Sequence, residues 1–188
     1  MNDVVRSLGR RRAGLLIPLF SCPSTASWGI GDIGDLESLT AWMADAGLRV
    51  LQLLPLNEMA PGQQSPYSAI SAMAIDPIFI RVSAVPEFEA LGGEAAISPD
   101  DRDALAVVRA SSRIDHAAVR RVKQSALRAA FERFVDAEWR RDTERARALR
   151  GYLSEQAWWI EDYGLFRALH AREEERPWMK WPPCVLTK

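Results

Sequence analysis

The residues whose types and spacing could do chemistry fall between Trp28 and Ile80. WGIGDIGDLESL places Gly29, Gly31 and Gly34 in a G-x-G-x-x-G pattern, the spacing with which a dinucleotide-binding turn brings bare backbone against a pyrophosphate. Asp32 and Asp35 stand among these glycines, and Glu58 and Asp76 follow. Carboxylates beside a phosphate repel it unless a cation compensates, and no lysine or arginine is close to these two in sequence. Further on, Tyr67 lies between Ser65 and Ser71 among small residues that leave its ring accessible. An aromatic ring with a hydroxyl suits a sugar, because the face covers a C–H patch while the oxygen bonds a sugar hydroxyl. The bland alternatives are that Tyr67 plugs the end of a barrel and that the two serines cap turns.

The elements that must position these groups can be read from apolar runs. GLLIPLF, Gly14 to Phe20, is short and continuously apolar, which fits a strand buried on both faces of a parallel sheet. Asp35 stands where a helix N-cap would be. Leu36, Leu39, Trp42, Met43 and Ala46 then recur on one helical face, and Gly47 supplies the stop. RVLQLL, Arg49 to Leu54, reads as a second strand that ends at Pro55. Strand, helix and strand at this spacing predict a right-handed parallel crossover. Ligands of parallel sheets gather at the carboxyl ends of strands, so the loops beginning at Ser21 and Pro55 are the ones to search.

That placement argues against a nucleotide. A dinucleotide fingerprint needs its glycines directly after the strand, whereas here the loop SCPSTASW intervenes, and the second strand ends in LLPL where an acidic residue would meet the ribose. The glycines read instead as positions where the loop turns sharply and approaches neighbouring backbone.

The remaining composition excludes several classes. In 188 residues the net charge is −1, which draws the chain towards neither nucleic acid nor an anionic membrane. Cys22 and Cys184 are too few for a disulfide framework, and they predict reduced thiols in a cytoplasmic protein. Arg10-Arg11-Arg12 before AGLLIPLFSC imitates a signal sequence, but Pro18 and Phe20 favour a basic tail followed by an interior strand. No apolar stretch approaches bilayer-spanning length. His116 and His170 are isolated from other ligand types, so no metal is expected. From Pro99 to Glu175 helix formers dominate. Leu127, Ala130, Phe131, Phe134, Val135 and Ala137 give one apolar stripe, and Trp158, Trp159, Asp162, Tyr163, Phe166 and Leu169 give another, both read as core. The basic residues between Arg109 and Arg150 interleave with acids, as on a solvated helical surface.

RRAGLLIPLFSCPSTASWGIGDIGDLESLTAWMADAG, then LQLLPL, then SPYSAISAMAIDPIFI resembles, in order and spacing, the opening of the amylomaltase family of 4-alpha-glucanotransferases. WWIEDYGLFRAL and RPWMKWPP resemble later segments of that family. Leu51 departs from the usual tryptophan, Asp76 from the usual asparagine, and NEMAPGQQ lacks the aromatic that some members use for a second glucan site. The resemblance implies an α/β fold, the N-terminal part of a (β/α)8 TIM barrel with a largely helical insertion subdomain. On this basis residues 1–12 are a flexible basic tail, 13–83 the first barrel portion with a glucan-facing loop, 84–176 the insertion, and 177–188 a return segment.

The same resemblance implies transfer of α-1,4-glucan segments between maltooligosaccharides, with retention and without a cofactor. Tyr67, Ser65 and Ser71 would contact the glucan. The catalytic carboxyl groups of the family lie on later strands, so none of Asp32, Asp35, Glu58 and Asp76 inherits a catalytic role. This chain alone is expected to be inactive, since a closed barrel takes about 250 residues. The other expectation kept open is a non-catalytic glucan-binding or interaction module.

Overall fold

The computed structural model describes residues 11–182; the basic stretch through Arg10, and Cys184, lie outside them. Strand β1 (Gly14–Ile17) pairs in parallel with β2 (Val50–Leu53), Gly14 opposite Val50 and Ile17 opposite Leu53. Helix α1 (Asp35–Asp45) makes the connection and buries Met43. Parallel strands need such a crossover, and the expected strand, helix and strand are all present. Two details differ from the sequence reading. Along both strands exposed and half-buried residues alternate, with Leu16 59% and Val50 43% exposed, because only these two strands form the sheet among the described residues. Asp35 occupies the first helical position, not the N-cap, which is Gly34.

Beyond β2 the described elements are helical. They are α2 (Pro86–Ala90), α3 (Pro99–Ala110), α4 (His116–Ala137), α5 (Glu144–Glu155) and α6 (Ala157–Arg172), with short 3-10 turns between. Ser98 starts α3 by accepting from the Asp101 amide at 3.0 Å, and Thr143 starts α5 by accepting from that of Ala146, each satisfying a donor the helix leaves open.

The described chain divides into two compact units, one of residues to 70 with 74–131, the other of 71–73 with residues from 132. The first has a core of Leu19, Trp28, Ile30, Ile78, Phe79 and Val82 from the loops, packed with Phe88, Leu105, Val108, Val119, Val122, Ala126 and Ala130 from the helices. Trp28 meets Phe88 edge to face, with ring centroids 5.6 Å apart. On α4 the buried positions are Val119, Val122, Lys123, Ala126 and Ala130, while Phe131 is 61% exposed. The apolar stripe counts Phe131 inward; the buried face instead runs through Val119, Val122, Lys123, Ala126 and Ala130, and Phe131 lies one position round the helix from it. In the second unit Phe166, His170 and Trp181 stack, with Phe166 5.3 Å from His170 and 5.7 Å from Trp181. Trp158, also expected inside, is 69% exposed.

Candidate functional site

The three glycines are explained by what faces them. Gly29 has φ +74°, and a Cβ there would lie 2.8 Å from Val108 Cβ; at Gly31 it would lie 2.1 Å from the Leu19 carbonyl oxygen; at Gly34, 2.4 Å from Arg81 Nε. Protein groups therefore fill the faces that a dinucleotide turn would offer to phosphate.

The two aspartates between them are engaged too. Arg81 Nε donates to Asp32 Oδ1 at 2.8 Å, and its Nη2 pairs with Asp35 Oδ1. Asp32 Oδ1 also accepts from the Gly34 amide at 3.0 Å, and Asp35 Oδ2 from the Asp32 amide and Ser27 Oγ, both at 2.8 Å. Lys123 Nζ, on α4, donates to the carbonyls of Ile78 at 2.7 Å and Ile80 at 2.9 Å and stands 3.5 Å from Asp32 Oδ2. Burial raises the Asp35 carboxyl, but hydrogen bonds from Ser24, the Asp32 amide, Ser27 and Arg81 outweigh it and hold its pKa below the usual value. Burial lowers Lys123 to about 8, with Asp32 opposing that shift. The compensating cations are thus present but remote in sequence, which is why spacing alone missed them.

The loop after β2 is built as a stapled excursion. Its limbs meet at isolated antiparallel bridges, Asn57 with Ile75 and Met59 with Ala69. The Glu58 amide donates to the Ala74 carbonyl at 2.9 Å, that of Ala60 to Ser68 at 2.8 Å, and that of Ile70 to Glu58 at 2.8 Å. At its root stands Asp76, which is wholly buried. Asp76 Oδ1 accepts from the Ile78 amide at 3.0 Å and Oδ2 from the Met59 amide at 3.1 Å. Arg120 grips the same carboxylate with both arms, Nη1 to Oδ1 at 2.8 Å and Nη2 to Oδ2 at 2.7 Å. Asp76 is the backbone-bonding residue that its place before Pro77 predicts; its guanidinium partner was not legible.

Tyr67 sits at the far end of this loop and is 73% exposed. The turn beneath it closes through the Ser68 amide to the Ser65 carbonyl at 3.0 Å, and Ser65 Oγ accepts weakly from the Tyr67 amide at 3.4 Å. Ser65 and Tyr67 therefore share one turn, the ring presented outward. Ser71 falls in the short 71–73 segment of the second unit, where its Oγ accepts from the Met73 amide at 3.1 Å. Ser65 and Ser71 both support turns with their side chains, the alternative left open from sequence.

Other polar features are structural in kind. Trp28 Nε1 donates to Glu94 Oε1 at 3.0 Å, and Arg109 clasps Glu94 with contacts of 2.5 and 2.8 Å. This pairing with Arg109, against burial, lowers the Glu94 pKa. A cavity of about 410 Å³ beside it is lined by Ser24, Thr25, Arg109 and Ser112 among others. Among the described residues no group of three or more His, Cys, Asp or Glu side chains could hold a metal ion, and no helix is long and apolar enough to cross a membrane.

Comparison with known proteins places the chain in a family. The family model described as 4-alpha-glucanotransferase, glycoside hydrolase 77, matches residues 17–187. A 4-alpha-glucanotransferase of Thermus thermophilus is 30% identical over 173 residues, 92% of this chain and 31% of that protein. Another, of Chlamydia pneumoniae, is 29% identical over 172 residues with the same coverage, 92% and 31%. Among solved structures, the amylomaltase of Streptococcus agalactiae in complex with acarbose superposes with a TM-score of 0.68 at 25% identity, over 92% of this chain and 32% of that one. The amylomaltase of Corynebacterium glutamicum gives 0.56 at 30% identity over 76% of this chain and 22% of its own. The chain spans about a third of the length of the curated relatives named here. With a mixed helix and strand architecture of this kind and a family match over nearly all of its length, the chain belongs to the 4-alpha-glucanotransferase family.

Proposed function

We propose that the protein transfers α-1,4-glucan segments between maltooligosaccharides and that this chain supplies the glucan-facing loop that carries Tyr67. The observation that carries the reading is the exposed Tyr67 ring, held on a loop that leaves the carboxyl end of a parallel strand and is stapled at its root by Asp76. In a parallel barrel that end is where substrates bind. The ring face would cover a glucose C–H patch, and the Tyr67 hydroxyl would bond a sugar hydroxyl, with Ser65 supporting the turn beneath the ring.

Within this reading residues 13–83 form the opening of a (β/α)8 barrel and residues 84–176 an insertion subdomain. Transfer with retention needs two carboxyl groups, one as nucleophile and one as acid and then base. Asp32, Asp35 and Asp76 are buried in ion pairs, so we assign that pair to other parts of the protein and expect residues 1–188 alone to be inactive. No cofactor, nucleic acid or membrane enters the reaction, and a cytoplasmic location fits a glucan substrate.

Incubation with maltotriose tests both statements. Glucose and longer oligomers should accumulate with the protein when the segments that bear the carboxyl pair are present, and not with residues 1–188 alone. Turnover by residues 1–188 alone would refute the assignment of the carboxyl pair. Hydrolysis without longer products would refute transfer.

A further inference from the structure

We propose that Arg120 is a positioning residue for the glucan-facing loop, acting through Asp76; this rests on the reading of Tyr67 given above. Asp76 holds both limbs at the root, since its two oxygens accept from Met59 on the outgoing limb and from Ile78 just past the return. Those bonds need both oxygens to lie in a fixed plane. A carboxylate can otherwise rotate about its terminal bond, whose energy wells are broad. The planar fork of Arg120, engaging one oxygen with each arm at 2.8 and 2.7 Å, removes that freedom. It also compensates a charge that is 0% exposed.

The consequence reaches Tyr67 along the loop. The Met59 amide is bonded to Asp76, and Met59 is the residue bridged to Ala69, two positions from Tyr67. Rotation of the carboxylate would free the Met59 amide and loosen that bridge. Where the related family usually carries asparagine, an aspartate with this arginine supplies two equivalent acceptors, and an asparagine would present one oxygen and one N–H₂ to donors on both sides. Arg120 comes from α4, so a helix outside the loop sets the loop's geometry.

The inference predicts a defect in substrate binding that passes through one partner. With maltotriose, and with the protein that includes the segments bearing the carboxyl pair, Arg120→Met should raise KM about tenfold and leave kcat within about twofold, the pattern of lost uniform binding. In an Asp76→Asn background the same change should add less than about twofold, because the group that Arg120 orients is already altered. Amide exchange at Met59 and Ile78 should accelerate in Arg120→Met, while exchange at Val122 should not. Arg120→Lys keeps the charge without the fork and should also accelerate exchange at both amides, which decides the matter if the methionine variant does not fold. Unchanged exchange at Met59 and Ile78 in the folded variants overturns the inference, as does a tenfold effect that persists undiminished beside Asp76→Asn. Tyr67→Ala separates the two readings. If it leaves KM unchanged, the sugar role of the loop fails, while the exchange measurement still decides the role of Arg120.

Discussion

Lys123 places its ammonium 3.5 Å from the Asp32 carboxylate in a pocket where the lysine side chain is 1% exposed and the aspartate 2%. Burial is the dominant influence on the lysine and lowers its pKa from 10.5 to about 8. Between those two values the unfolded chain holds the proton and the folded chain does not. The unfolded state therefore binds more protons there, and the contribution of Lys123 to stability rises as pH climbs through that window. Urea unfolding near pH 8 and near pH 10, compared with Lys123→Met, should show the stability difference moving in favour of the parent protein at the higher pH. A difference independent of pH would contradict the burial of a titrating lysine.

Arg81 is the cation on which Asp32 and Asp35 both depend. Arg81→Met should destabilise the fold by about 3–5 kcal/mol, since it strands two buried carboxylates with one remaining cation. Asp35, whose pKa is lowered, adds stability above its ordinary value of 3.8 that is lost as pH falls through the folded value. The variant should therefore show a shallower loss of stability on acidification, read from thermal melts at neutral and acid pH.

Two glycine substitutions should move stability in opposite directions. Gly31→Ala drives a Cβ to 2.1 Å from the Leu19 carbonyl oxygen and 2.9 Å from Cys22 backbone, neighbours that cannot rotate away, and should cost about 1–3 kcal/mol or more. Gly151, inside α5, has nothing within 4 Å of a Cβ, so Gly151→Ala should stabilise by about 0.5–1 kcal/mol through helix propensity. Denaturant midpoints of both variants check the pair.

What the sequence disclosed was local. The apolar runs around Leu15 and Leu51, the periodicity from Leu36 to Met43 and the delay before Gly29 led to a parallel crossover and away from a nucleotide. The partners of the acids were not disclosed, because Arg81 lies 49 residues from Asp32 and Arg120 lies 44 from Asp76. Nothing in spacing along a chain tells which of many arginines folds back onto a given carboxylate. Helical spacing counts Phe131 and Trp158 inward, yet both are exposed; on α4 the buried face runs through Val119, Val122, Ala126 and Ala130, and Phe131 lies one position round the helix from it. For the loop, residue types gave Tyr67 a sugar-facing character and left the serines undecided between turn and ligand. Their side-chain bonds to the Tyr67 and Met73 amides supply the turn role.

The most direct test is titration with maltoheptaose of the protein and of Tyr67→Ala, each with a thermal melt. Because Tyr67 is largely exposed, the substitution should leave stability within about 0.5 kcal/mol. Loss of a stacked ring should weaken binding by about tenfold or more, on the scale of an aromatic contact of about 1.5 kcal/mol. Saturable binding by the parent protein, weakened in a variant that melts at the same temperature, is the predicted result. Equal affinity in the two proteins, or no binding by the parent, would contradict the account.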